Sequence, residues 1–283
     1  MNPQSSKMQS LLVTAGLCAA TLANAAERND KLPDWAPQPK PRVVEDRLRV
    51  EVNFLYAQPD TRVRIDSSLT QQGTLIDTED DLGLDKSEMV PQAELTLLPG
   101  ERHLVRLSAL TSRRSATKRI EKQIRFEDDV YNVNETVASK LDLTLFGLSY
   151  GYRFIVRDRA ELTATFGIQI ATIEANAFVP TRMVRDPEDG VAPIPLIGLE
   201  ARYDLNERWS LEGRFQGLTA NIKDVEGTIR DGRVATTFRV NPYLVLGLGY
   251  RTFSVDVDSQ DQGNPGRVDL NIGGPLLFVR ASM

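Results

Sequence analysis

One pattern governs this chain: apolar side chains recur at every second position, in one stretch after another. In "ELTATFGIQIAT" (161–172), Leu162, Ala164, Phe166, Ile168 and Ile170 fall on one side, and Glu161, Thr163, Thr165, Gly167 and Gln169 on the other. A period of two is the strand signature, because successive side chains point to opposite faces of the pleat. Leu48, Val50, Val52, Phe54 and Tyr56 alternate in the same way with Arg49, Glu51, Asn53 and Leu55, and Trp209, Leu211, Gly213 and Phe215 with Ser210, Glu212, Arg214 and Gln216. The spacing predicts ten strands, near 47–57, 90–98, 103–112, 137–155, 160–173, 194–204, 209–219, 227–240, 243–257 and 267–283.

The connections between these strands take turns in length. Short polar ones at 98–102, 156–159, 205–208 and 240–242 alternate with longer ones at 66–89, 112–136, 174–192 and 258–266; among the second class only 219–226 is short. An even strand count with tight turns on one side and long loops on the other is the pattern of an all-β, antiparallel, up-and-down transmembrane barrel with short periplasmic turns and long extracellular loops. Ten strands is the reading, with eight as the alternative. A soluble sandwich would alternate too, but it gives the loops no reason to segregate by length.

The two faces differ in content. Opposite the apolar stripe stand Arg49, Glu51, Arg106, Asp142, Glu161, Glu200, Arg202, Glu212, Arg214, Arg239, Arg251 and Arg280. In a barrel these charges face the lumen and the stripe faces lipid. Tyr152, Phe154, Tyr203 and Trp209 lie by the short turns, where an interfacial aromatic girdle belongs. The apolar parity flips twice, from Leu141, Leu143 and Leu145 to Leu148, Tyr150 and Tyr152, and from Val268, Leu270 and Ile272 to Leu277, Val279 and Ala281. An extra residue in a strand reverses its faces, so β-bulges are predicted at Gly273-Gly274-Pro275 and at Phe146-Gly147.

The N-terminus reads as an export signal. Lys7 precedes the apolar run "LLVTAGLCAATL", which ends in the small-x-small site Ala23-Asn24-Ala25. Residues 1–25 are expected to be a signal peptide, 26–45 a leader with Pro33, Pro37, Pro39 and Pro41, and 46–283 the barrel. Leu17 before Cys18 is not the small residue that lipid attachment wants, and without residues 1–25 the chain has no cysteine and therefore no disulfide. It then carries 33 Lys+Arg against 39 Asp+Glu, a formal charge of −6 that argues against nucleic acid as a partner.

These features resemble the small monomeric outer-membrane β-barrel proteins of Gram-negative bacteria. The final strand "LLFVRASM" runs to the last residue, as in that class, although Met283 stands where the class usually has the aromatic residue read by the barrel assembly machinery. "IDTEDDLGLDKSE" (76–88), "SKLDLTLFGLSYGY" (139–152) and "GGPLLF" (273–278) are similar to a largely uncharacterised proteobacterial group of such barrels. The resemblance implies a cell outer membrane location and contact with membrane lipid, lipopolysaccharide and the assembly machinery, and says almost nothing about activity.

Few residues suggest chemistry. His103, the one histidine, lies beside the short turn 98–102, away from the long-loop rim where a general base would act. In the acidic run 77–85, Asp77, Glu79 and Asp81 fit the first ligands of a calcium loop, but Leu82 occupies the glycine position and the match fails. Sharing of divalent cations with lipopolysaccharide phosphates is a looser reading of the same run. Arg113, Arg114, Lys118, Arg119, Lys122 and Arg125 in the next loop could contact those phosphates, since guanidinium groups pair well with them. No cofactor, no metal centre and no enzymatic activity are expected. The sequence therefore predicts a barrel plugged by its own lumen charges, with a structural or surface-interaction role through loops 66–89, 112–136 and 174–192. The alternatives are a narrow pore for small, anionic solutes, favoured by an excess of lumen arginines, and an outer-membrane hydrolase.

Overall fold

The alternating stretches become ten strands of one antiparallel sheet: β1 (Leu48–Ile65), β2 (Glu88–Leu97), β3 (His103–Arg119), β4 (Thr136–Val156), β5 (Ala160–Val179), β6 (Val184–Asp204), β7 (Trp209–Ile222), β8 (Val225–Asn241), β9 (Leu244–Ser259) and β10 (Gly266–Ser282). Neighbours in sequence pair throughout, and β10 returns to pair with β1 from Arg49↔Ser282 to Ile65↔Gly266. The sheet therefore closes on itself, which removes its edges. The computed structural model describes residues 47–66, 73–126, 129–131, 133–179, 184–222, 225–260 and 265–283, so the expected signal peptide and leader lie outside the described residues. Among the described residues there is no helix, and the only other strands are Ile76–Asp77 against β1 and a hairpin of Ile124–Phe126 with Asp129–Tyr131.

The outward face carries an apolar belt. On β1 it consists of Val50, Val52, Phe54 and Tyr56, all exposed, and on β10 of Leu277 and Val279, with Met283 just past the strand end. Beyond Tyr56 the outward positions of β1 turn polar, with Gln58, Asp60 and Arg62. With 18 residues, at about 3.3 Å rise and roughly 40° tilt, β1 reaches roughly 45 Å along the axis, against a belt of roughly 25 Å. The wall thus continues well past the belt on the loop side. Two of the predicted long loops, 112–136 and 174–192, are shorter than expected for this reason: β3 runs to Arg119, and β5 and β6 pair as far as Val179↔Val184. Outside the belt both faces become polar, so the alternation that marks a strand in the sequence fades while the backbone ladder goes on.

Neither predicted bulge exists. β4 pairs with β3 without a break from His103↔Tyr152 to Arg119↔Thr136, and β9 pairs with β10 without a break through Arg251↔Gly274 and Tyr250↔Pro275. The parity flips have another cause. Leu143, Leu145, Ile272 and the partly buried Leu270 point into the lumen, which is itself apolar at that level. Register shifts occur instead at Arg153/Ile155 and at Arg239/Asn241, next to short turns. Gly274 serves a close approach, since a side chain there would run into the carbonyl of Tyr56.

Candidate functional site

The lumen is the first candidate. Of the predicted lumen charges only Asp142 is misplaced: it shares the outward parity of Phe146 and Leu148, lies above the belt and pairs with Lys140 at 2.6 Å. The others face inward. Glu51 and Glu94 sit directly opposite each other on β1 and β2, an arrangement that repels unless cations answer it. They are answered from across the barrel, where Arg214, Arg233 and Arg251 form a row on β7, β8 and β9. Arg214 grips Glu94 with both terminal nitrogens at 2.9 and 3.1 Å, and its Nε lies 3.3 Å from Glu200. Arg106 holds Glu200 in a second fork.

A second group sits beside the first. Glu51 accepts from Arg233 at 2.7 Å and from Arg280 Nε at 2.8 Å, and Arg280 forks onto Glu212, which also accepts from Arg202 at 2.9 Å. Arg251 and Asp231 form a further two-pronged pair. Fork-on-carboxylate geometry is the strongest form of this contact, and the planar guanidinium of Arg233 also stacks 4.2 Å from the centre of the Phe278 ring. Phe278 is wholly buried and lies where a side chain at Gly247 would be. Glu94, Asp231, Arg153, Arg233 and Phe278 were missing from the sequence reading. Their inward parity was legible in Val90, Gln92, Glu94 and Thr96, and in Asp231 and Arg233. Arg49 and Glu161 line the lumen near the short turns, and Arg239 donates to the Pro242 carbonyl at the rim.

Towards the long-loop end the same inward positions are apolar. Leu55, Val90, Leu110, Leu143, Leu145, Ile194, Leu196, Phe253, Ile272 and Leu276 pack as one buried cluster across the lumen. Leu55 faces Leu276 in the ladder, and Leu110 faces Leu145.

Above this layer the acidic run folds over the mouth. The Asp77 carboxylate accepts from the Asp80 backbone at 2.8 Å, and the Asp81 carboxylate from the Asp77 backbone at 2.9 Å. Gly83 turns at φ +77°, open to glycine at little cost, and Leu84 is buried. Glu79 reaches down to the buried Arg114 and accepts from the Thr61 backbone. Lys118 binds the Asp80 carbonyl, Lys122 the Asp81 carboxylate at 2.6 Å, and Lys86 the Asp80 carboxylate. The acids expected to share cations are therefore held by cations of the neighbouring basic segment. Among the basic residues proposed for phosphate, Arg113 and Arg119 are exposed on the outward face, although Arg119 also donates to the Asn134 carbonyl. The Arg125 side chain lies outside the described residues.

His103 stands on the outside of the short-turn end, with Nδ1 2.6 Å from the Tyr150 hydroxyl and its ring 5.5 Å from that of Tyr152. With Phe154, and with Trp209 packed at a tilt against Phe238, ring centres 4.9 Å apart, these residues form the predicted aromatic girdle; Tyr203 lies on the same outward face.

A closed ten-stranded antiparallel barrel with an apolar outer belt, an aromatic girdle and unequal connections is the fold of outer-membrane β-barrel proteins, and this chain has that fold. Neither a family model nor a curated protein matches its sequence. Among solved structures it is similar to the outer-membrane protease OmpT of Escherichia coli, with a TM-score of 0.53 and 10% identity over 85% of this chain and 98% of that one. It is more distantly similar to the toluene transporter TodX of Pseudomonas putida (TM-score 0.36, 10% identity, 84% and 90% covered) and to the attachment invasion locus protein Ail of Yersinia pestis (TM-score 0.32, 10% identity, 83% and 98% covered). The likeness to OmpT corrects the expectation of no enzymatic activity: a barrel of this shape carries a protease, so the fold gives no ground for excluding catalysis.

Proposed function

We propose that this chain is an exported outer-membrane protein of a Gram-negative bacterium, belonging to the proteobacterial group with the IDxEDDLGLD-type loop, whose lumen is closed to solutes and which acts through the part projecting beyond the belt. The observation that supports the reading is how the lumen is occupied. Arginine–carboxylate forks fill one half and a buried apolar layer crosses the other. The mouth cap supports it further, because Glu79, Arg114 and Thr61 tie the loop 76–88 to the wall. On the outside, exposed Arg62, Arg113 and Arg119 stand above the belt at the level of lipopolysaccharide phosphates, the partner this reading assigns to that surface. The test is single-channel recording after refolding the mature chain into a planar bilayer. Inserted protein that stays silent agrees with a closed lumen. Steady conductance whose anion selectivity changes with Arg214→Ala replaces this reading with a narrow anion pore.

A further inference from the structure

The closed sheet hides its strand edges only as far as its rungs reach, and two ladders stop early. The one between β2 and β3 ends at Gln92↔Leu110, and continuing it would set Pro91 against Thr111. The one between β6 and β7 ends at Ile197↔Gly217, and continuing it would set Pro195 against Thr219 and Pro193 against Asn221. Proline has no N–H to give a ladder and belongs at strand edges. Above these points β6 stays with β5 as far as Val179↔Val184, and β7 with β8 as far as Ile222↔Val225, so the wall beyond the belt parts along two seams. The chain answers the first itself: the Glu88 carboxylate accepts from the Arg113 backbone and the Ser112 hydroxyl, and Glu79 accepts from the Thr61 backbone on the opposite lip. Among the described residues no group bonds the backbone lips of the second.

The lips of that second seam carry a definite set of groups. Ile222 and Val225 flank a tight turn, which directs the Ile222 N–H and C=O to β8. Backbone groups alternate sides along a strand, so Thr219 and Asn221 turn theirs to the seam, as Gly217 does to Ile197. On the other lip Pro193 and Pro195 offer carbonyls alone. The floor beneath is apolar: Ile194 and Leu196 are buried in the layer that crosses the lumen, and the Leu218↔Ile229 rung lies half-buried beside it. We propose that this seam accepts an extended polypeptide segment of a partner as an added strand, paired with Thr219 and Asn221 on one side and donating to the Pro193 and Pro195 carbonyls on the other. A row of N–H and C=O groups at strand spacing is complemented in full only by another backbone. The floor selects apolar residues at every second position of the segment, and the exposed Thr219 and Asn221 bring no charge, so the residues between are neutral and polar. The proposal rests on the reading that the projecting wall is the acting part; conductance in the bilayer would remove the closed lumen and leave the outcome below as it stands.

The test titrates the refolded barrel in detergent micelles, and empty micelles in parallel, into a dye-labelled peptide of alternating valine and threonine, and follows fluorescence anisotropy. The expected result is saturable binding that needs the barrel and is roughly tenfold weaker for the same peptide methylated at its backbone nitrogens. Thr219→Pro, which removes a donor from the β7 lip, should weaken binding by roughly the same factor. Pro193→Thr combined with Pro195→Thr gives β6 the missing N–H groups, so the ladder continues upward and the seam closes; binding should fall while the melting midpoint rises. Should Thr219→Pro not fold, the double variant carries the test. Equal binding of the methylated peptide, or binding that neither variant changes, means apolar contact without strand pairing and overturns the proposal, as does the absence of binding beyond that to empty micelles.

Discussion

The two halves of the lumen rest on the same ten strands and are lined by opposite means. Near the short turns, inward positions carry Glu51, Glu94, Glu200, Glu212 and the arginines that fork onto them. Near the long loops they carry Leu55, Leu110, Leu145, Leu196 and Leu276. The charged half is demanding: each carboxylate needs its arginine from a distant strand, so one slip of register would turn every member outwards into lipid. The apolar half is permissive, because any side chain of about the right volume fills it. The difference teaches that the two halves make different demands on the sequence: the charged half ties particular strands to one another, while the apolar half asks for volume.

The largest effect is expected where one cation serves two acids. Arg280→Met takes one cation from both Glu51 and Glu212 at once, leaving them only Arg233 and Arg202, and should lower unfolding free energy by roughly 3 kcal/mol, read from urea unfolding in lipid vesicles. An equal loss from the outward Lys140→Met, whose pair with Asp142 is half exposed, would erase the claim that the inner network is special.

The apolar half breaks in another way. Leu276→Ala should cost roughly 2–5 kcal/mol through the cavity it leaves, and Leu55→Ser combined with Leu276→Ser should let water through the layer. Single-channel recording then separates the two halves. If the double variant still blocks current, the charge network closes the lumen unaided and the apolar layer only packs.

The mouth cap is a third and smaller case. Glu79→Gln leaves Arg114 short of its counter-charge and should cost about 1–3 kcal/mol locally. Trypsin should then cut at Lys86 several-fold faster, and an unchanged cleavage rate would show that the loop is held without Glu79.

How much of this was legible depended on what lay outside the barrel. The belt, the strand order and most lumen charges could be read, because lipid on one side and a polar lumen on the other enforce a period of two. The apolar layer could not be read, since Leu143 and Leu145 facing inward look the same in sequence as leucines facing lipid after a bulge. The projecting wall was hidden too: 174–179 pairs with 184–189 although the sequence there has lost its alternation. The cap was the least legible. Its acids looked free until the fold laid Arg114, Lys118 and Lys122 against them.

The smallest expected effect concerns a place where the wall above the belt does not follow the rule of the lumen. Asp256 and Asp269 face each other on β9 and β10, outward, with Arg230 and Arg267 nearby. Here two acids meet without a fork between them. The hydrogen bond from Asp256 to Asp269, with partial burial, raises the Asp256 carboxyl from its ordinary 3.8 to about 6. A raised acid favours the folded state most below pH 3.8 and loses that contribution as pH climbs through about 6. Asp256 is 46% exposed and Arg230 37%, so solvent screens the effect to under about 1 kcal/mol. The melting midpoint should therefore fall slightly more between pH 5 and pH 7 in the parent than in Asp256→Asn, which keeps a hydrogen bond to Asp269 without the charge. Identical pH profiles would mean that the arginines fully neutralise the pair, and that the outer wall balances its charges as completely as the lumen does.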